Sequence, residues 1–189
     1  MRNFVSGILF TWIVLCAGGY WIFEKGYVNF AADQRPSDVE SKLARSARDA
    51  SADRRAPVRE NPIAPTEKNL AVGAKIYLDH CAGCHGVPSN PESAFSWSFY
   101  PPVPGFFKGT PDLSEKQNFY AIQHGVRWTG MPAWGGTLPE TQIWQVVTFL
   151  NNIQKLPPAA QNVFGSESAT APASPPSPMS TPMAMPVAH

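Results

Sequence analysis

A chain of 189 residues, 43% hydrophobic and 15% charged, has material for one modest domain with appended segments, not for two large domains. Its formal net charge of +1 withholds the basic face that nucleic-acid binding needs. Of three cysteines, two stand three positions apart and the third lies in an apolar N-terminal run, so no disulfide framework is implied.

Residues 1–25 read as a membrane or export segment. Phe4 to Phe23 are twenty consecutive uncharged, mostly apolar positions. A helix of that length covers about 30 Å, the hydrocarbon thickness of a bilayer. Tyr20 and Trp21 suit its far interface. Two readings compete: an uncleaved transmembrane anchor, and a signal peptide cut after the small residues Ala17, Gly18 and Gly19. Apolarity that continues through Trp21-Ile22-Phe23 favours the anchor. Leu15 before Cys16 is poorly suited to a lipid-modified cysteine, which wants a small residue there.

Residues 26–65 read as a charged linker. Between Asp33 and Glu60 there are seven basic and six acidic side chains and almost no large apolar ones. Ser37-Asp38-Val39-Glu40 has the form of a capping box, which predicts a solvated helix over 38–52. The sharper alternative is an arm that docks a partner. Pro57, Pro62 and Pro65 stiffen the approach to the domain that begins at residue 66.

Residues 66–156 carry the core. Leu70, Gly73/Ala74, Tyr77 and Cys81 recur at helical spacing, predicting a first helix over 67–81 in which Gly73 permits close approach of another helix. Cys81-Ala82-Gly83-Cys84-His85 is CxxCH, the attachment motif of c-type haem. Thiols three positions apart reach the two vinyl groups of one porphyrin, and the adjoining histidine is the proximal iron ligand. A thioredoxin-like CxxC needs neighbouring strands, and a structural zinc needs two more soft ligands nearby; neither pattern is present. The loop 86–111 is rich in proline and aromatic residues (Phe95, Trp97, Phe99, Tyr100, Phe106, Phe107), and its length suits packing around a large flat apolar group.

A middle helix is predicted from Ser114, with Gln117 as capping partner, Phe119 and Ile122 inward and Gly125 at its end. Gly130-Met131-Pro132 then places a methionine where a sixth iron ligand is needed. Glycine lets the backbone approach the ring and proline restrains the loop, whereas a core-filling methionine would sit on a helical stripe. His124 is the rival ligand, and His80 reads as a solvated side chain. Arg127, Trp128, Trp97, Tyr100 and Trp134 offer donors to haem propionates, or ordinary packing. A last helix begins near Thr137-Leu138-Pro139-Glu140, with Ile143, Val146/Val147, Leu150 and Ile153 as its apolar stripe.

Residues 157–189, with eight prolines and one charge, are expected to form a disordered tail. Met179, Met183, Met185 and His189 are side chains of the kind that hold copper(I), and low-complexity composition explains them equally well.

With Gly73 and Tyr77, Asp79-His80-Cys81-Ala82-Gly83-Cys84-His85-Gly86, the run Ile122…Gly125…Thr129-Gly130-Met131-Pro132-Ala133-Trp134-Gly135, and Trp144, Val147, Phe149 and Leu150, the segment 66–156 resembles class I c-type cytochromes. It is most similar to the monohaem domains related to the cytochrome c subunits of cbb3-type oxidases. The resemblance implies an all-α class I cytochrome c fold whose first and last helices cross near Gly73, and one covalent haem c bound by Cys81, Cys84, His85 and Met131. It also implies that the second ring nitrogen of His85 donates to a loop proline carbonyl, Pro101, Pro102 or Pro104. The implied function is electron transfer with redox partner proteins rather than bond-making catalysis. The alternatives are a haem-bearing subunit of a larger oxidase or dehydrogenase, and a haem enzyme or sensor with an open distal site. Haem c is attached outside the cytoplasm, so the domain is expected on the periplasmic side, anchored or cleaved free. The basic residues after the apolar run, Lys25, Arg35 and Lys42, argue weakly the other way.

Overall fold

The computed structural model describes residues 2–109 and 111–165, so Met179, Met183, Met185 and His189 lie outside the described residues. The chain divides into two compact units at Gln34/Arg35. In the first, the uninterrupted apolar run forms helix α1 (Arg2–Glu24). This helix is long and apolar enough to cross a membrane or to serve as a signal sequence. Gly26, at φ 69°, closes it, its N–H bonding Phe23 O.

The second unit is helical, and among its described residues the only extended pairing is an isolated bridge between Val87 and Asn90. Its frame is the pair α3 (Glu67–His80) and α6 (Glu140–Asn151). Thr66 caps α3 by accepting from Asn69 N. The predicted stripes of both helices are buried: Leu70, Ala74 and Tyr77 on one, and Ile143, Val146, Val147 and Leu150 on the other. The stripe of α6 runs on into Ile153, in an adjoining 3-10 turn. The helices approach closely at Gly73, where a Cβ would lie 2.8 Å from Phe149 Cβ and closer still to Gln145 O. Only glycine fits that contact without a backbone shift.

Helix α5 (Glu115–His124) packs on α6. Its predicted capping box is complete, with Ser114 N donating to Gln117 Oε1 at 2.8 Å and Gln117 N to Ser114 Oγ at 3.4 Å. Phe119 stacks on Trp144 of α6 with ring centroids 4.1 Å apart. Among the described residues the buried Trp144 N–H has no hydrogen-bond partner. Leaving it so costs about 1–3 kcal/mol, set against the large area that the indole buries.

Two boundaries differ from expectation. Residues 158–165 are not tail: they form α7 (Pro158–Gly165), which packs on α3. Ala160 is fully buried, and Phe164 meets Phe107, Tyr77 and Phe149 at centroid distances of 5.5, 6.4 and 6.0 Å. The averaged Pro/Ser/Ala composition hides this short stretch of apolar spacing, and Pro158 suits the first helical position. Nor is 26–65 all spacer. Ser37 caps α2 (Asp38–Arg55), three residues longer than predicted, and α2 lies along α5. Ala52 is buried, Arg48 pairs with Asp112 at 2.7 Å, and Gln117 Nε2 donates to Asp53 at 2.7 Å. The residues after α2 are tied down as well: Lys116 bonds Val58 O and Glu60, Arg59 pairs with Glu140, and Asn61 Nδ2 donates to the buried Thr148 hydroxyl at 2.9 Å.

Candidate haem-binding site

Helix α3 ends at His80, and the chain turns at once into the short helix α4 (Ala82–His85), which carries the CxxCH residues. Gly86, at φ 84°, stops it: a Cβ there would meet Asn90 O and Pro91 O at 2.6 and 2.7 Å. Tyr77 fixes this turn from inside the core, donating its hydroxyl to Gly86 O at 2.9 Å. Burial holds the Tyr77 phenol far above its ordinary value, so it remains a donor throughout the physiological range.

Cys81 is half-buried, Cys84 is exposed, and both are free thiols. Burial, then the neighbouring Cys84, pushes the Cys81 thiol up to about 12, so it is protonated at neutral pH. His85 is half-buried, and its Nδ1 lies 2.8 Å from Pro104 O. Of the three prolines left open by sequence, the structure selects Pro104. A carbonyl can only accept, so Nδ1 carries the hydrogen and Nε2 is left with its lone pair. Burial lowers the His85 value, partly opposed by the Pro104 contact, and so favours that neutral form. Phe106 stacks on the imidazole at 4.6 Å and limits its rotation.

The loop 86–111 is organised by short-range bonds. Ser93 Oγ and Ser96 Oγ donate to Cys84 O at 2.9 and 3.4 Å, and Val103 N donates to Ser96 O at 3.0 Å. Its far side reaches the methionine segment, where the Phe99 ring rests directly on Gly130, so a side chain at 130 would displace the ring. Thr129 Oγ1 accepts from Met131 N at 3.1 Å, and Val126 N donates to Met131 O at 3.2 Å. Gly125, at φ 69°, packs so closely against Met131 O and Ala133 N that a Cβ would lie 2.8 Å from each. Met131 and Cys81 flank the same apolar cluster, both partly buried.

The other expected residues separate. His124 is exposed beside Tyr120, and His80 is exposed with Trp134 packed edge-on at 5.3 Å. Trp128 is 89% exposed at φ 61°, with the Arg127 guanidinium 6.0 Å from its ring. Trp97 is exposed, with the Arg35 guanidinium over its ring, and Tyr100 bonds Glu40. Sequence reasoning missed Ser93 and Ser96, and it named Phe99 only among the loop aromatics, not as the partner of Gly130. They are ordinary loop residues in sequence, and only folding brings them against Gly130 and Cys84.

Two free thiols one turn apart, next to an imidazole with one nitrogen engaged by a carbonyl and the other free, are a donor set that fits haem c. Residues 68–150 match the family model described as "Cytochrome C oxidase, cbb3-type, subunit III". That segment is a c-type cytochrome domain of the class I kind, related to that subunit, and its cofactor is covalent haem c. Among solved structures, a chain of the reducing HAO-like protein complex of Kuenenia stuttgartiensis aligns with 23% identity and a TM-score of 0.42. The alignment covers 50% of this chain and 48% of that one, too slight a likeness to carry weight. No curated protein matches.

Proposed function

We propose that this protein moves single electrons, with His85 and Met131 as the axial ligands of one haem c joined to Cys81 and Cys84. The observation that carries the reading is the His85–Pro104 contact of 2.8 Å immediately after the two thiols. It orients the ring, fixes the tautomer and makes Nε2 the stronger donor. When bound, the haem supplies an iron that alternates between the ferrous and ferric states. Cys81 and Cys84 would hold it through thioether links. A thioether from Met131 donates less to ferric iron than a second imidazole does, which raises the reduction potential. Met131 on the iron would also keep oxygen and peroxide away from it, which favours electron transfer over catalysis.

The full chain, made in a host that attaches haem c, is expected to be coloured and to keep its pigment in acidified organic solvent. The double variant Cys81→Ala/Cys84→Ala is expected to release it. A colourless wild-type product would overturn the proposal.

Helix α1 supports a membrane anchor with the haem domain on the extracytoplasmic side, where haem c is attached. Retention of the chain in carbonate-washed membranes tests the anchor against a cleaved signal. The description of the matched family as an oxidase subunit favours a second reading, in which the chain is the haem-bearing subunit of a larger complex. Detergent-solubilised membranes separate the two: a stoichiometric partner with its own redox centres marks a subunit, and its absence marks a free carrier.

A further inference from the structure

The segment 35–61 is a strap along the haem domain, and its first residues end on a loop that touches both axial-ligand segments. Pro104 of that loop bonds His85, Ser93 and Ser96 bond Cys84 O, and Phe99 rests on Gly130 beside Met131. Between those contacts stand Trp97 and Tyr100. The Arg35 guanidinium lies 4.5 Å from the centroid of the Trp97 ring, and Glu40 accepts from the Tyr100 hydroxyl. Glu92, at the start of the same loop, pairs with Lys108 at its other end. Further along the strap, Arg48–Asp112 and Asp53–Gln117 hold α2 to the residues before and within α5.

From this arrangement we infer that Arg35 and Glu40 are positioning residues for the distal ligand: they press the 93–104 loop inward, so that Phe99 keeps Gly130-Met131 closed over the haem. The inference rests on the assignment of Met131 as sixth ligand. The physical reason is leverage. Bonds from Ser93, Ser96 and Pro104 pin the two ends of the 93–104 loop to Cys84 and His85, and the stretch between those ends, which holds only a 3-10 turn at Ser96–Ser98, is the part on which Arg35 and Glu40 act. A cation over an indole face and a charge-assisted hydrogen bond act on two residues flanking Phe99, and each is lost if the strap's end lifts. The Phe99 ring fills the space above Gly130, so a shift of the loop frees the methionine loop in the same movement. The device is local: the strap's other ties, at α5 and α6, hold whether or not Arg35 and Glu40 are engaged.

The test uses the full chain in detergent, carrying haem, with Arg35→Ala/Glu40→Ala as the variant. Three quantities are read: the ferric methionine–iron absorption band, the rate at which cyanide displaces the sixth ligand, and amide hydrogen exchange of residues 93–100, the last also in the haem-free chain. Losing one cation–π contact and one hydrogen bond is expected to open the distal side about tenfold more often. Cyanide binding therefore accelerates about tenfold, exchange at 93–100 rises to match, and the methionine band weakens. Arg35→Lys/Glu40→Gln keeps a cation and an acceptor and is expected to restore most of the wild-type rate. Arg48→Ala, which frees only the middle of the strap, is expected to leave it within about twofold. A wild-type methionine band with unchanged cyanide kinetics in the double alanine variant overturns the inference while leaving the ligand assignment intact. Absence of that band in the wild type overturns both. A double alanine variant that fails to fold or take up haem also overturns it, since the strap's end would then be a folding element.

Discussion

The α3/α6 crossing and the 86–111 loop lie next to each other and are held by different physics. At the crossing, two apolar stripes meet over a glycine. In the loop, side chains of moderate exposure are fixed by hydrogen bonds to Cys84 O and to His85 and by one ring on Gly130. The first region packs through its own apolar side chains. The second makes sense as the frame of a cofactor. The contrast separates the contacts that hold the helices together from those that position the site, with Tyr77 and Phe107 joining the two.

The largest effect is expected at the crossing. Gly73→Val forces a branched side chain into Gln145 O and Phe149, and should cost about 3 kcal/mol or prevent folding. Urea denaturation measures this, and a change below about 1 kcal/mol would show that the helices can part freely. Next is the last helix. A chain ending at 157 loses the Phe164 contacts with Tyr77 and Phe107, and should be about 2 kcal/mol less stable than one ending at 165. Equal stabilities would return α7 to the status of a tail.

Within the loop and ligand region, stability should hardly move while chemistry does. Met131→Ala is expected to lower the reduction potential and to admit CO to the ferrous and cyanide to the ferric protein, with the stability of the haem-free chain displaced by under about 1 kcal/mol. Unchanged ligand access would remove Met131 from the iron. The smallest effect concerns acid. Burial keeps the His85 imidazole below its ordinary value, so the unfolded haem-free chain takes up a proton that the folded one resists. Stability should be full above about pH 6.5 and decline below it toward the lower folded value. His85→Gln should flatten that decline in urea titrations at several pH values; a slope that survives would place its source in another group.

How much of this was legible in advance depends on the range of the interactions. The capping box at Ser114–Gln117, the Ser37 cap of α2 and the stripes of α3 and α6 are contacts within one turn or one period, so residue spacing prescribes them. The CxxCH run is also local, because two bonds to one ring need two thiols a turn apart. The folding of α7 onto α3, the strap along α5 and the meeting of Phe99 with Gly130 join residues far apart in the chain. In each case the residue types were unremarkable, and short apolar or charged stretches read equally well as tail, linker or loop.

The sequence alone thus determined the helical class and the haem-attachment motif, because each depends on spacing between near neighbours, while the helix crossing at Gly73 was implied by the resemblance to class I cytochromes. Only the tertiary structure decided which of three prolines faces His85, that residues 158–165 belong to the core, and that Arg35 and Glu40 end on the ligand loop. Those choices are made by packing between distant segments, where many pairings are chemically acceptable and the geometry of the folded chain permits one.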